Sequence, residues 1–278
     1  MIPIYDNHLH LSPSGLNVEA AKMYEKAGGT GMTLVTLPYT EFVDITDEDH
    51  FEKTFEITLS LAEKVRESTG LKVNVAVGPY PISLMWLAEH VGLEKAEKSM
   101  IKGMEAAARL VSEGKANAIG EIGRPHFPIE DEKIWEASNR VLLRGMELAH
   151  EVDCPVIIHC ESEIKTYEDL ARIADEAHLE REKVVKHSSL PMITEEENHG
   201  VMPSMPASRT LIKEAIPKGD RFMLETDYID DPNRPTSIMA VTTVPKRISG
   251  YLQSGEFTEE NVHRICGDIP DSLYERRA

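Results

Sequence analysis

The chain has 278 residues, 28% of them charged and 41% hydrophobic, with a formal net charge of −18 and an isoelectric point near 5.0. That balance provides for a sizeable core and excludes a disordered polar chain; no apolar stretch approaches the roughly 20 residues of a membrane span. Acidic runs such as VDITDEDHFE (43–52), IEDE (129–132) and ITEEEN (193–198), with no basic stripe to offset them, exclude tracking along an extended duplex, whose phosphates dominate affinity.

In chain order, short apolar runs alternate with amphipathic stretches. The runs at 2–8, 31–38, 72–79, 117–122, 155–160, 184–188, about 200–205 and 222–227 read as strands. The seventh carries two prolines, unusual for a central strand, and is included because eight-fold closure needs it. Between them, 50–67, 93–114, 131–151 and 166–178 show mixed three- and four-residue apolar spacing, with Thr166 and Asp169 spaced as a capping box at the start of the last. Strands alternating with helices predict a parallel sheet with right-handed crossovers. Eight units in about 250 residues predict a (β/α)8 TIM barrel, one domain over 1–278, with its site where the strands end. An open doubly wound sheet with merely satisfied core histidines is the competing expectation.

Metal-ligand residues close five of these runs: His8 with His10, Glu121, His159, His187 and Asp227. On a strand, positions i and i+2 share a face, so both imidazoles of His8 and His10 point to one side. Converging neutral imidazoles begin a divalent-metal site.

The succession His-x-His, GEIG, a strand-end histidine in IIHC, a later strand-end histidine and ETD resembles the TatD-type metal-dependent hydrolases of the amidohydrolase superfamily. The resemblance runs from residue 6 to about 275 and includes the tail TEENVHRICGDIPDSLY, similar to that family's last helix. It implies two divalent metals, with His8, His10 and Asp227 on the first, His159 and His187 on the second, and Glu121 bridging. A bridging carboxylate holds two cations roughly 3.5–4 Å apart, close enough to share and activate one water. Asp227 is then the expected catalytic proton acceptor. Four imidazoles make zinc the first choice, with manganese, magnesium or iron as alternatives.

The chain departs from the nuclease members where substrate loops are expected. Arg124-Pro125-His126-Phe127 follows GEIG in place of Leu-Asp, Glu161-Ser162 follows His-Cys, and His187-Ser188-Ser189-Leu190 replaces His-Cys-Phe-Ser-Gly. These differences resemble a divergent archaeal-type branch. Arg124 is expected either to clamp an anionic substrate or to pair with a nearby carboxylate, and His126 to relay protons or add a ligand. Glu161 and Glu163 are expected as first-turn acids, Lys186 faces the helix layer, and Arg209 and Arg234 are candidate phosphate contacts.

The leading expectation is a binuclear metal-dependent hydrolase acting on a phosphodiester, with a small molecule or a short nucleic-acid end as substrate. The alternatives are an amidohydrolase or lactonase acting on a small carbonyl substrate, and a non-catalytic metal-stabilised scaffold. Cys154, Cys160 and Cys266 have no pair spacing and read as reduced thiols of a cytoplasmic protein with no membrane partner. No secretory segment is expected, because its cleavage would remove Asp6 to His10.

Overall fold

A computed structural model describes residues 2–233 and 238–275. The first half of the chain runs β1 (Tyr5–His10), α1 (Val18–Lys26), β2 (Gly31–Val35), α2 (His50–Ser68), β3 (Lys72–Val77), α3 (Ser83–Val91), α4 (Leu93–Ser112), β4 (Ala118–Gly123) and α5 (Glu132–Glu151). The second half runs β5 (Val156–His159), α6 (Ile164–Glu176), β6 (Val184–Lys186), α7 (Glu195–Asn198), β7 (Met202–Pro206), α8 (Arg209–Ala215), β8 (Met223–Glu225), β9 (Tyr228–Ile229), α9 (Thr243–Ser254), α10 (Glu259–His263) and α11 (Ile269–Tyr274).

All strand pairs are parallel, and the sheet order is β8-β7-β6-β5-β4-β3-β2-β1-β9. The expected last run, 222–227, is therefore strand only over Met223–Glu225; the chain breaks at Thr226 and Asp227, where Asp227 adopts φ 49°, and resumes as β9 beyond the expected run. β9 pairs with β1 through Leu9–Tyr228 and His10–Ile229, and the Asp227 amide donates to the His8 carbonyl at 2.9 Å. Buried Asp6 completes this seam by accepting from the Thr226 amide (3.0 Å) and hydroxyl (2.7 Å). The sheet thus curls back onto its first strand.

Strand alternation sorts the core into layers. Met32, Leu34, Val73, Val75, Val77 and Ile158 pack with helix residues such as Phe55, Met104 and Val141. Val35, Ala76, Ala118, Ile157 and Val185 group with Tyr5 on the other face. There Tyr5 Oη meets Thr33 Oγ1 at 2.8 Å and accepts from Asn74 Nδ2 at 2.6 Å. Tyr274 of α11 closes that end, its ring 6.4 Å from Tyr5 and its hydroxyl donating to Asn7 Oδ1 at 2.8 Å.

The proline-bearing seventh strand forms despite its sequence, because its ladders are short. Lys186–Pro203 ends its pairing with β6, and Pro206–Glu225 ends its pairing with β8. One local expectation is corrected. α6 starts at Ile164 after Glu163, and Thr166 lies inside it with Asp169 turned toward Arg124, so they form no capping box. Among the described residues, no helix is long and apolar enough to cross a membrane.

Candidate metal centre

The ends of β1, β4 and β5 and the segments after β6 and β8 bring the expected ligands together. His8 Nε2 and His10 Nε2 face each other at 3.1 Å, and Asp227 Oδ1 lies 3.5 Å from His10 Nε2 and 3.9 Å from His8 Nε2. On the other side, Glu121 Oε1 lies 2.5 Å from His159 Nδ1 and 3.2 Å from His187 Nε2. Glu121 Oε2 lies 3.9 Å from His8 Nε2, so its two oxygens address different groups.

Two features of the local sequence aim Glu121 inward. Simple alternation from Ile119, which faces the helices, would turn Glu121 outward as well. The register with β5 slips between Gly120 and Ile122, so Ile122 faces the helices and Glu121 faces the cage. Gly123 then lets the ends of β4 and β5 close: at φ 135°, an added Cβ would lie 2.1 Å from the His159 carbonyl oxygen. The Arg124 amide donates to that same carbonyl at 2.8 Å.

The imidazoles are oriented from behind. His10 Nδ1 meets the Val35 carbonyl at 2.9 Å, which leaves Nε2 as the inward lone pair. Glu225, fully buried, sits 2.9 Å from His187 Nδ1 and accepts from the Ser188 amide at 2.8 Å. Its other oxygen accepts from Ser204 Oγ, which in turn accepts from Asn7 Nδ2 at 3.0 Å. A hydrogen-bonded chain therefore runs from Tyr274 through Asn7, Ser204 and Glu225 to His187. Sequence reasoning missed Glu225; it stands two residues before Asp227 on a strand end, a spacing that could have drawn attention to it.

The charge states follow from this packing. Burial opposes charge on Glu121, but the His159 and His187 imidazoles hold its carboxyl well below the usual range. Burial opposes protonation of His187 too, yet Glu225 and Glu121 raise it to about 9. His8 goes the other way, lowered by burial and by neighbouring His187. Tyr80, whose ring lies 5.3 Å from His159 at a steep angle, is kept a phenol by burial and by the charges of Glu121 and Asp227. It is a second residue missed at the sequence level.

The donor set fits divalent cations. One ligand atom from each of His8, His10 and Asp227, and likewise of Glu121, His159 and His187, lies within 4.8 Å of the others. A 3.1 Å separation of two imidazole nitrogens suits a shared ion, since nitrogens about 2.0–2.1 Å from one metal stand roughly 3 Å apart. A third group, His8, His187 and Glu225, shares these residues.

The loop residues are placed differently. Arg124, 1% exposed, does not reach over the cage; it is held by Glu161 at 2.5 Å, Asp169 at 2.5 Å and Asn139 at 3.1 Å, with its guanidinium 4.7 Å from the Trp135 ring centre. Of the two expectations for Arg124, pairing with nearby carboxylates is the one seen: both terminal nitrogens of the fork are committed to the fold, and buried Nε has no partner. Glu161 serves that pair, and Glu163 stands just before α6 without a capping hydrogen bond from its side chain, paired instead with Lys165 at 3.0 Å. His126 does reach the cage, with Nδ1 2.9 Å from His159 Nε2. Lys186 is buried, its ammonium donating to the His187 carbonyl at 2.5 Å. Arg209 begins α8, and Arg234 lies outside the described residues.

Comparison with known proteins agrees with this architecture. The organophosphorus hydrolase of Deinococcus radiodurans superposes with a TM-score of 0.65 at 16% identity, over 99% of this chain and 93% of that one. A PTE-like lactonase mutant from the same organism gives 0.65 at 15% identity, over 99% and 96%. At these identities the likeness is one of fold. The uncharacterized protein MJ1127 of Methanocaldococcus jannaschii is 33% identical over 278 residues, covering 99% of this chain and 96% of the relative. The TatD related DNase family model matches residues 5–275, and a match of that extent, on a chain whose histidines and carboxylates gather as described, makes this protein a member of that family.

Proposed function

We propose that the protein is a binuclear metal-dependent hydrolase acting on a phosphodiester at the end of a short nucleic acid or in a small ester. The observation that carries this reading is the position of Glu121, one oxygen toward His159 and His187 and the other toward His8. On this reading the sheet is a (β/α)8 barrel, with β8 and β9 as one interrupted strand. His8, His10 and Asp227 would hold one ion, His159 and His187 the other, with Glu121 shared between them. Zinc suits the four imidazoles best. When bound, such ions polarise a phosphoryl oxygen and lower the pKa of a water.

The chain's own groups do the rest. Asp227 is the most open of the cage carboxylates, with a side chain 18% exposed against 6% for Glu121 and 0% for Glu225. It therefore faces incoming water and accepts its proton. Glu225 fixes the His187 ring so that Nε2 points inward. The Tyr80 phenol, whose ring lies 5.3 Å from that of His159, would donate toward an oxygen of the substrate.

Protein stripped with chelator and reloaded with Zn²⁺, Mn²⁺ or Mg²⁺ should shorten an end-labelled single-stranded oligonucleotide, and Asp227→Asn should lose that activity by about 10²–10⁴-fold. No cleavage by protein carrying about two ions per chain would end the nucleic-acid-end reading and turn the search to small esters, lactones and amides.

A further inference from the structure

Beside the cage, between the β4–α5 loop and the start of α6, lies a cleft of about 840 Å³. That is the size of a small-molecule site. Rings lead into it from the metal centre: Phe127 lies edge-on to His126 at 5.3 Å, and His126 edge-on to His159 at 5.1 Å. Apolar groups, among them Trp135, Pro125 and Ile129, line its walls, and Phe127 remains 38% exposed to solvent.

The charges in this cleft are unevenly committed. Glu161 and Asp169 share buried Arg124, Asp169 also pairs with Arg172 at 2.8 Å, and Glu163 pairs with Lys165 at 3.0 Å, so these three carboxylates face three cations. Glu130, Glu132 and Glu168 are exposed, and among the described residues no ion pair engages them. The walls are therefore aromatic and effectively neutral, and the rim is a set of hydrogen-bond acceptors. A cationic ligand would need an unpaired carboxylate within the walls, where both candidates are already matched. Lys165 and Arg172 also line the cleft but are paired with Glu163 and Asp169, so a phosphate would meet the unpaired charges of Glu130, Glu132 and Glu168 and be repelled.

We propose that this cleft is the base subsite of the hydrolase: it takes the ring of one terminal nucleotide, prefers bases carrying an exocyclic amino group, and rejects a second phosphate. This rests on the phosphodiester reading above and specifies its substrate. Stacking on Phe127 supplies sequence-tolerant affinity, as base–aromatic contacts do. Rim carboxylates accept from the amino groups of adenine, cytosine or guanine, which thymine lacks. The acidic surface is then no obstacle, since only one phosphate needs to reach the cage.

The test is binding of nucleosides, which carry no phosphate, followed by fluorescence. Trp86→Phe leaves Trp135 as the sole tryptophan of the chain. In that background adenosine and cytidine should change Trp135 emission saturably, thymidine more weakly and deoxyribose not at all. Phe127→Ala, a change at an exposed loop residue, should weaken adenosine on the order of tenfold without altering thermal stability. A matched oligonucleotide with an abasic terminus should be cleaved with a raised KM and a similar kcat. Deoxyribose binding as well as adenosine, no response to any nucleoside, or phenethylammonium outcompeting adenosine would each overturn the subsite. Cleavage of oligonucleotides without nucleoside binding would remove the subsite and leave the hydrolase reading intact. Nucleoside binding without cleavage of any oligonucleotide would keep the ring site and remove the nucleic-acid end as substrate.

Discussion

The two sides of the cage are built to different rules. Along the seam of β1, β8 and β9, carboxylates are spent on backbone. Asp6 holds Thr226, and Asp230 accepts from the amides of Leu16 (2.8 Å) and Asn17 (2.7 Å) and from the Tyr228 hydroxyl (2.9 Å). Gly15 belongs to this lock, because a Cβ there would fall 2.2 Å from Asp230 Cγ. On the β4–β5 side, the carboxylates Glu161 and Asp169 bind an arginine instead, and the loop beyond carries exposed His126 and Phe127 next to an open cleft. One side fixes ligands with short-range, saturated hydrogen bonds. The other anchors its base firmly and leaves its tip accessible, the division expected where a rigid scaffold carries a recognition loop.

The strongest way to break this contrast is Arg124→Ala. It strands Glu161 and Asp169 and removes packing against Trp135, so stability should fall by about 3 kcal/mol, toward the lower end for a broken buried pair because both partners keep some solvent. The thermal midpoint should drop by roughly 6–12 °C. If Arg124 instead clamped substrate, calorimetry would show little change and KM would carry the whole effect.

Next in size is Glu225→Gln. It keeps the shape but removes the charge behind His187, so metal affinity should fall about 10–100-fold, measured by competition with a chromophoric chelator. An unchanged affinity would mean that Glu225 serves only Ser204 and the barrel interior. Asp230→Asn should cost about 1–2 kcal/mol in denaturant unfolding, since charge-assisted bonds to Leu16 and Asn17 become neutral ones. Unaltered stability would show that the seam is held by strand pairing alone.

The smallest effect lies outside both regions. His50, at the start of α2, has Nδ1 2.8 Å from the Asp47 carbonyl and Nε2 buried without a partner. Burial lowers its pKa below the ordinary value of 6.5. The unfolded chain then binds the extra proton first, so this stability is present above pH 6.5 and is lost as pH falls toward the depressed folded value. His50→Asn should flatten the pH dependence of the thermal midpoint below 6.5, and a parallel curve would show that His50 does not titrate on unfolding.

How much of this could be read from the sequence depends on the range of the interaction involved. The helices at 50–67 and 131–151 appear as His50–Ser68 and Glu132–Glu151, since apolar periodicity is a local property. The placing of His8 and His10 on one face follows from strand geometry in the same way. Arg124 was legible only as an arginine near carboxylates. Its partner Asp169 lies 45 residues away on α6, where spacing suggested a helix cap instead. Glu225 hides in ETD because its role requires Ser204 and His187, residues on two other segments.

The sequence by itself determined the family, the alternation of strand and helix, and which residue types close the strands, because each of these is carried by short patterns and their order. Only the tertiary structure decided that Glu121 turns inward through a slipped register, that the last strand breaks at Asp227, and that Arg124 is buried while Phe127 stays open. Those outcomes depend on which groups meet across the sheet, and long-range pairing, unlike periodicity, leaves no local mark on the chain.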